Sequence, residues 1–293
     1  SFADFVAECW VRGSPRWKAS SLDTHTGYRR RYLDDAFAGG YIDELNEGHV
    51  TSWFADLNNR TGPGASNRTF EILKHMLNKA EEWGYRLENT NPCRSVRPNR
   101  KRQCERFLTN EELARLGAEL AKLRSSQDRT KQCAGAAITL LLLTGCRKSE
   151  ILTLEWSDIK GNRLHLRDSK TGPRTVWLGS AAREVIGALP RFERIPYPFW
   201  NYRYRKPLRC VNGFWRRLRE EAGLPGVRIH DLRHTFASHA AMNKETLPMI
   251  GRLLGHANVQ TTARYAHLDD EHLIEAVQQI GDIVSYHLHG VVR

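Results

Sequence analysis

Tyr265 closes the string LLGHANVQTTARYAHL, nine positions after His256 and downstream of His230 and Arg233 in IHDLRHTFASHA. A phenol is a weak nucleophile at neutral pH, because its ordinary pKa is about 10, unless nearby cations favour the phenolate. Cations are available: Arg147 in TGCRKSE and Lys170 in DSKTGPRT. Attack of a tyrosine on a phosphodiester makes three demands. Charge building on the nonbridging oxygens needs fixed positive donors, ideally guanidinium forks; the departing sugar hydroxyl needs a proton; the phenol must lose one. Arginine, lysine and histidine can meet all three without a metal.

Whether these residues can meet depends on the elements that carry them. On one continuous helix, nine residues at 100° each would put His256 and Tyr265 on opposite faces, about 13.5 Å apart. Gly255 and then Asn258 give a stop followed by a start signal, so the chain is expected to turn between them and bring imidazole and phenol together. His230 and Arg233, at i and i+3, share one helix face, while Leu232 and Phe236 face a core. Adding His234 and His239 raises a zinc alternative, but His239 lies about 180° around the helix from His230, so the three cannot ligate one ion. Arg147 follows a break at Gly145, and Glu150 is spaced to orient its guanidinium. Lys170 stands at a turn between two β-like pieces, a good place for a side chain that reaches into a groove. Each feature alone has an ordinary reading: an amphipathic helix start, a surface ion pair, a solvated hairpin lysine, a helix aromatic, a capping histidine.

The composition narrows the target. The 293 residues carry a net charge of +12, which points to a polyanion, nucleic acid ahead of an anionic membrane surface. The apolar run Ala136 to Leu143 is too short to span a bilayer, and no secretory signal is visible. Cys9, Cys93, Cys104, Cys133, Cys146 and Cys210 form no CxxC pair and read as reduced cytosolic thiols. A first residue of Ser1 suits a processed or truncated product, whose upstream domain is either removed or never existed.

Residues 1–95 read as a helical bundle. Apolar spacing marks helices in Phe2 to Trp10, Tyr28 to Phe37, Ile42 to Leu57 and Phe70 to Trp83, with Ser66 or Asn67 capping the last. Residues 96–106 read as an extended basic linker. There Arg97, Arg100, Lys101 and Arg102 are candidates for contact with a phosphate backbone. Residues 107–293 read as a mainly helical unit with one small antiparallel sheet. Helices are expected from Thr109 or Asn110, over Arg129 to Thr144, at Ala181, near Val211 to Ala222, and from Asp231, Thr246 and Asp269. Strands are expected around Trp156 to Ile159, Arg163 to Arg167 and Arg174 to Leu178. The final helix carries an apolar stripe of Leu273, Ile274, Val277, Ile280, Ile283 and Val284.

The ordered set Arg147, Lys170, His230, Arg233, His256 and Tyr265 resembles that of the tyrosine recombinases, or phage integrase family. LLLTGCRKSEILTLEWSDI, DSKTGPRTVWL, IHDLRHTFASHA and LLGHANVQTTARYAHL carry the resemblance over roughly residues 140 to 268. GASNRTFEILKHMLNKAEEWGYRLENTNPC is similar to the last helix of the family's core-binding domain. The resemblance implies a helical core-binding (SAM-like) domain over 1–95 and a catalytic domain over 107–293, in a mainly α fold with a small antiparallel sheet. It implies a site-specific recombinase that integrates or excises a mobile element. Tyr265 would form a 3′-phosphotyrosyl link, Arg147 and Arg233 would grip the nonbridging oxygens, and His256 would donate to the same phosphate. Lys170 would protonate the leaving 5′-oxygen, His230 would help take the phenol proton, and Glu150 would steady Arg147. No cofactor, metal or ATP is implied. Implied partners are double-stranded DNA with specific core sites, a homotetramer in the synaptic complex, and accessory DNA-bending or directionality factors, but no membrane. The implied location is the cytoplasm, at a bacterial or archaeal nucleoid. The C-terminal helix would pack in its own domain or on a neighbouring subunit. A type IB topoisomerase uses a similar residue set, and a DNA-binding regulator that has lost the chemistry is the alternative from a different class.

Overall fold

Proline, glycine and asparagine decide where the first helices begin and end. The computed structural model describes residues 1–13, 15, 17–100, 106–167 and 172–289, in two units, Ser1–Gln103 and Cys104–Arg293. The first unit holds α1 (Phe2–Gly13), α2 (Ala19–Tyr32), α3 (Glu47–Thr61) and α4 (Pro63–Glu82) around an aromatic-rich core including Phe2, Phe37, Phe54 and Phe70. Three boundaries differ from the sequence expectation. Helix α2 lies earlier, and Leu33 and Phe37 reach the core from turns beyond its end, where the amides of Leu33 and Asp34 both return to the Arg29 carbonyl. Helix α3 starts at Glu47 because Asn46 accepts from the His49 amide at 3.1 Å; Ile42 is buried from the preceding turn.

Ser66 and Asn67 cap nothing. Pro63 opens α4 directly after Gly62, whose φ of 79° suits glycine, and a proline at the first helical position loses no hydrogen bond. Both residues are buried inside α4. Ser66 Oγ donates to the Gly62 carbonyl at 2.9 Å, and Asn67 brackets Asn99, donating to its carbonyl at 2.8 Å and accepting from its amide at 2.9 Å. The first part of the expected linker is thus tied to the helices of its own unit, aided by the Arg94–Glu81 ion pair and by Val96 against the core. Arg97 and Arg100 are exposed; Lys101 and Arg102 lie outside the described residues.

The second unit opens with α5 (Asn110–Arg124), whose Thr109 and Glu112 form a reciprocal capping box, and α6 (Arg129–Thr144), capped by Asp128. Helix α6 is the centre of the main core, with Cys133, Ala134, Ala137, Ile138, Leu140 and Leu141 all buried. It stops at Gly145 in the left-handed region, φ 61°, where a Cβ would lie 2.6 Å from Phe236. Beyond the short α7 (Lys148–Leu152) come β1 (Ile159–Lys160), β2 (Arg163–Leu166) and β3 (Arg174–Trp177), an antiparallel sheet in that order. The β2–β3 register runs from Arg163 opposite Trp177 to Leu166 opposite Arg174. The expected strand at Trp156 is a 3-10 turn, because the Asp158 carboxylate accepts the Glu155 amide at 2.9 Å and closes it.

Helices α8 (Ser180–Gly187), α9 (Asn212–Glu221), α10 (Asp231–Met242), α11 (Leu247–Leu254) and α12 (Asp270–His289) follow, with a further hairpin of β4 (Trp200–Asn201) and β5 (Lys206–Pro207) between α8 and α9. A second small cluster gathers Ala237, Ala241, Ile250 and Leu254 around Tyr265. On α12, Val277, Ile280, Ile283 and Val284 are exposed, so that part of the stripe is no core; the side chains of Leu273 and Ile274 lie outside the described set. Among the described residues, no helix is long and apolar enough to cross a membrane, and Cys9, Cys93, Cys133, Cys146 and Cys210 are free thiols.

Candidate active site

Two helix ends define the floor of the site. Gly145 closes α6 and Leu254 is the last residue of α11, so both carbonyls lie where a helix leaves its acceptors unpaired. Arg233, in the first turn of α10, fills both vacancies: one terminal nitrogen donates to the Gly145 carbonyl and the other to that of Leu254, each at 2.7 Å. A cation also suits the negative ends of two helix dipoles. Only 4% of Arg233 is exposed. Burial, then the charge of Arg147, lowers its pKa to about 10, which still leaves it cationic at neutral pH.

Arg147 precedes the first residue of α7, and Glu150 folds back on it. The Glu150 carboxylate accepts from the Arg147 amide and from its guanidinium, both at 2.8 Å. Glu150 is buried, and burial disfavours its charge, but the hydrogen bonds from Arg174 and Arg147 outweigh that and lower its pKa. The Arg147 side chain keeps 20% of its surface exposed and stays within reach of a ligand.

The turn after α11 places His256. Gly255 is left-handed at φ 66°, the His256 amide returns to the Gly251 carbonyl at 2.9 Å, and Asn258 starts the 3-10 turn Val259–Thr261 by accepting from the Gln260 amide. The chain does turn between His256 and Tyr265. His256 Nδ1 is hydrogen-bonded to Thr262 Oγ1 at 2.8 Å. Burial lowers its pKa to about 4, reinforced by the charges of Arg233, Arg147, Arg264 and Arg174, so its imidazole is neutral.

Tyr265 lies in the 3-10 segment Ala263–Asp269 and is 4% exposed. Its hydroxyl shares a 2.7 Å hydrogen bond with Nδ1 of His234, one turn beyond His230. Burial raises the phenol pKa above its usual value, against the pull of Arg264 and Arg233. Burial, followed by His230 and Arg264, lowers that of His234 to about 4. One proton therefore lies between two neutral groups. The ring of His230 stands edge-on to His234, centroids 5.1 Å apart, and burial lowers its pKa too, so the partner of the phenol is a residue that sequence reading weighed only as a metal ligand. His239 bonds the Leu108 carbonyl at 3.1 Å, and among the described residues no group of three His, Cys, Asp or Glu side chains could hold a metal ion.

Arg147, Glu150, Arg233, His256, His230 and Tyr265 thus belong to one neighbourhood, in which Arg147 and Arg233 both act on the two histidines His230 and His256. Lys170 lies outside the described residues, in the segment between β2 and β3. Arg97 and Arg100 belong to the other unit. The arrangement offers two guanidinium groups, a neutral imidazole and a phenol, which together suit an oxyanion such as a phosphate diester.

Sequence reading missed Arg174. It donates to Glu150 at 2.8 Å and to the Leu253 carbonyl at 3.1 Å, and lies 3.7 Å from Cys146 Sγ. The signal was present: strand alternation puts Arg174 on the face of buried Val176, opposite exposed Thr175 and Trp177. Thr262 gave no such signal, since nothing local marks a threonine as the partner of a histidine.

Residues 106–272 match the model of the phage integrase family. The integrase of Haemophilus phage HP1 is 28% identical over 273 residues, which cover 92% of this chain and 71% of that protein. The tyrosine recombinase XerC of Thermodesulfovibrio yellowstonii is 33% identical over 201 residues, covering 63% of this chain and 65% of that protein. The fold is shared with a lambda integrase tetramer bound to a Holliday junction, at a TM-score of 0.71 and 18% identity, covering 88% of this chain and 77% of that one.

Proposed function

Because this chain belongs to the phage integrase family of tyrosine recombinases, we propose that it cleaves and rejoins double-stranded DNA at specific core sites, integrating or excising a mobile element. The carrying observation is that Arg233 joins the two helix ends at Gly145 and Leu254, each followed two residues on by Arg147 or His256, beside a buried tyrosine. Tyr265 Oη attacks the scissile phosphorus as the bond from phosphorus to the 5′-oxygen breaks, leaving a 3′-phosphotyrosyl link and a 5′-hydroxyl. The phenol proton passes to the histidine pair, His234 in contact and His230 behind it, while Lys170 protonates the leaving oxygen. Arg147 and Arg233 hold the nonbridging oxygens. His256, held through Nδ1 by Thr262 Oγ1, offers an Nε2 proton to the same phosphate. Attack by a 5′-hydroxyl from a partner strand reverses the step, so one ester replaces another and no ATP is consumed. In the described state the phenol is buried against His234, so segment 256–269 has to shift before attack.

Double-stranded DNA is the substrate in this reading, gripped largely through phosphates by a chain of net charge +12, with Arg97, Arg100, Lys101 and Arg102 among the contacts. A homotetramer forms in synapsis; the exposed apolar stripe of α12 supports a subunit contact, as does the lambda relative's tetramer. Accessory bending or directionality factors act with it, in a bacterial or archaeal cytoplasm. A nicked suicide duplex carrying the core site tests the reading. Wild type accumulates a covalent adduct, also in EDTA, whereas Tyr265→Phe binds the duplex and forms none. Adduct formation by Tyr265→Phe, or strict dependence on magnesium, overturns it.

A further inference from the structure

Arg174 joins three parts of the site that are remote in sequence. Its guanidinium donates to Glu150, which itself holds Arg147 through both backbone and side chain. It also donates to the Leu253 carbonyl at the end of α11, three residues before His256. Its aliphatic stem lies so close to Gly255 that a Cβ there would stand 2.6 Å from Arg174 Cδ. Glycine is needed at that position twice over, for its φ of 66° and for the arginine that passes it. Arg174 itself starts β3, just after the segment that carries Lys170.

We infer that Arg174 is a positioning residue for phosphate activation, setting Arg147, through Glu150, at a fixed distance from His256, through Leu253 and Gly255. The physical basis is the geometry of the fork. A planar guanidinium can donate to a carboxylate and a carbonyl at once in fixed directions, which an ammonium on a flexible stem cannot reproduce. Almost all of Glu150 and most of Arg174 are withdrawn from water, so the pair is little screened and little able to slide. Without Arg174, Glu150 keeps Arg147 as a partner but loses the link that ties both to the His256 turn.

This inference rests on the site assigned above, and its test separates the two. Arg174→Lys keeps a cation beside Glu150 and so keeps the fold; Arg174→Met removes the charge. Single-turnover adduct formation is measured on the suicide duplex, alongside duplex binding and melting temperature. Arg174→Lys is expected to slow adduct formation about 10-fold or more with binding within about 2-fold of wild type. In an Arg147→Ala background the same change is expected to cost less than about 3-fold, because the group it positions is gone. On a duplex whose scissile phosphate is a methylphosphonate, which lacks one of the charged oxygens, the loss is expected to shrink as well. An equal loss in both backgrounds and on both duplexes, the mark of a merely structural role, overturns the inference. So does a wild-type rate for Arg174→Lys and, where it folds, for Arg174→Met. Failure of the wild type to form an adduct, or adduct formation by Tyr265→Phe, instead indicts the assigned site.

Discussion

Arg233 and Tyr265 are equally buried and belong to the same neighbourhood, yet they are held by different means. Arg233 is fixed by two strong donor contacts to helix ends, in a region where Arg147, Glu150 and Arg174 add further charged hydrogen bonds. Tyr265 sits in a run of 3-10 turns against the small buried cluster of Ala237, Ala241, Ile250 and Leu254, and its hydroxyl has a neutral histidine as partner. Charge-assisted bonds are roughly twice as strong as neutral ones, and small clusters open before large cores do. A phosphate would therefore meet a preorganised grip, whereas the proposed nucleophile belongs to the less tightly held part.

The largest expected effect lies on the rigid side. Arg233→Lys keeps a cation but abandons one of the two carbonyls. Covalent adduct formation should fall 10²- to 10³-fold, about 3–4 kcal/mol of transition-state stabilisation. A loss below 10-fold would mean that the fork is dispensable and the contrast false.

Acid should act mainly on the mobile side. Folded-state pKa values of about 4 for His234 and His256, against an ordinary 6.5, mean that the unfolded chain binds more protons between those limits. Stability is then complete above pH 6.5 and is lost as pH falls toward 4. At about 1.4 kcal/mol per pKa unit, protonation of His234 removes up to roughly 3 kcal/mol of stability and that of the half-buried His256 less. Urea midpoints at pH 7 and pH 4.5 would show the drop, and His234→Gln should flatten it; equal slopes for the two proteins would place the titration elsewhere.

At the hinge between α6 and Arg147, Gly145→Ala should cost about 2 kcal/mol, from the left-handed backbone and the approach to Phe236. A melting temperature within about 1 °C of wild type would show that the α6 end yields. On stability at neutral pH the smallest effect expected is that of His234→Ala, about 1 kcal/mol for the lost partner of the phenol. Amides over 256–269 should exchange faster while those of α6 are unchanged, and uniform exchange across both regions would mean that the two are held alike.

Much of the site was legible because its residues stand beside local signals. The stop at Gly145, the capping position of Thr109 and the turn at Gly255 follow from backbone preferences that act over a few residues. Pro63 was an equally local signal, overridden in reading by the more familiar capping residues Ser66 and Asn67, which turned out to be buried hydrogen-bonding partners of Asn58 and Asn99. Long-range pairings were not legible. The bond of Tyr265 to His234 rather than to His230 depends on how a 3-10 segment packs on α10, and a one-turn difference on that helix leaves no trace in spacing.

Residue types, their order and the turns between them are written in the chain, because capping, glycine conformation and apolar periodicity are local properties. Long-range packing sets the rest: Arg233 closes two helix ends, Arg174 links Glu150 to the His256 turn and Tyr265 rests on His234. Those choices depend on which donors and acceptors are left together once water is excluded, and burial makes every such pairing matter.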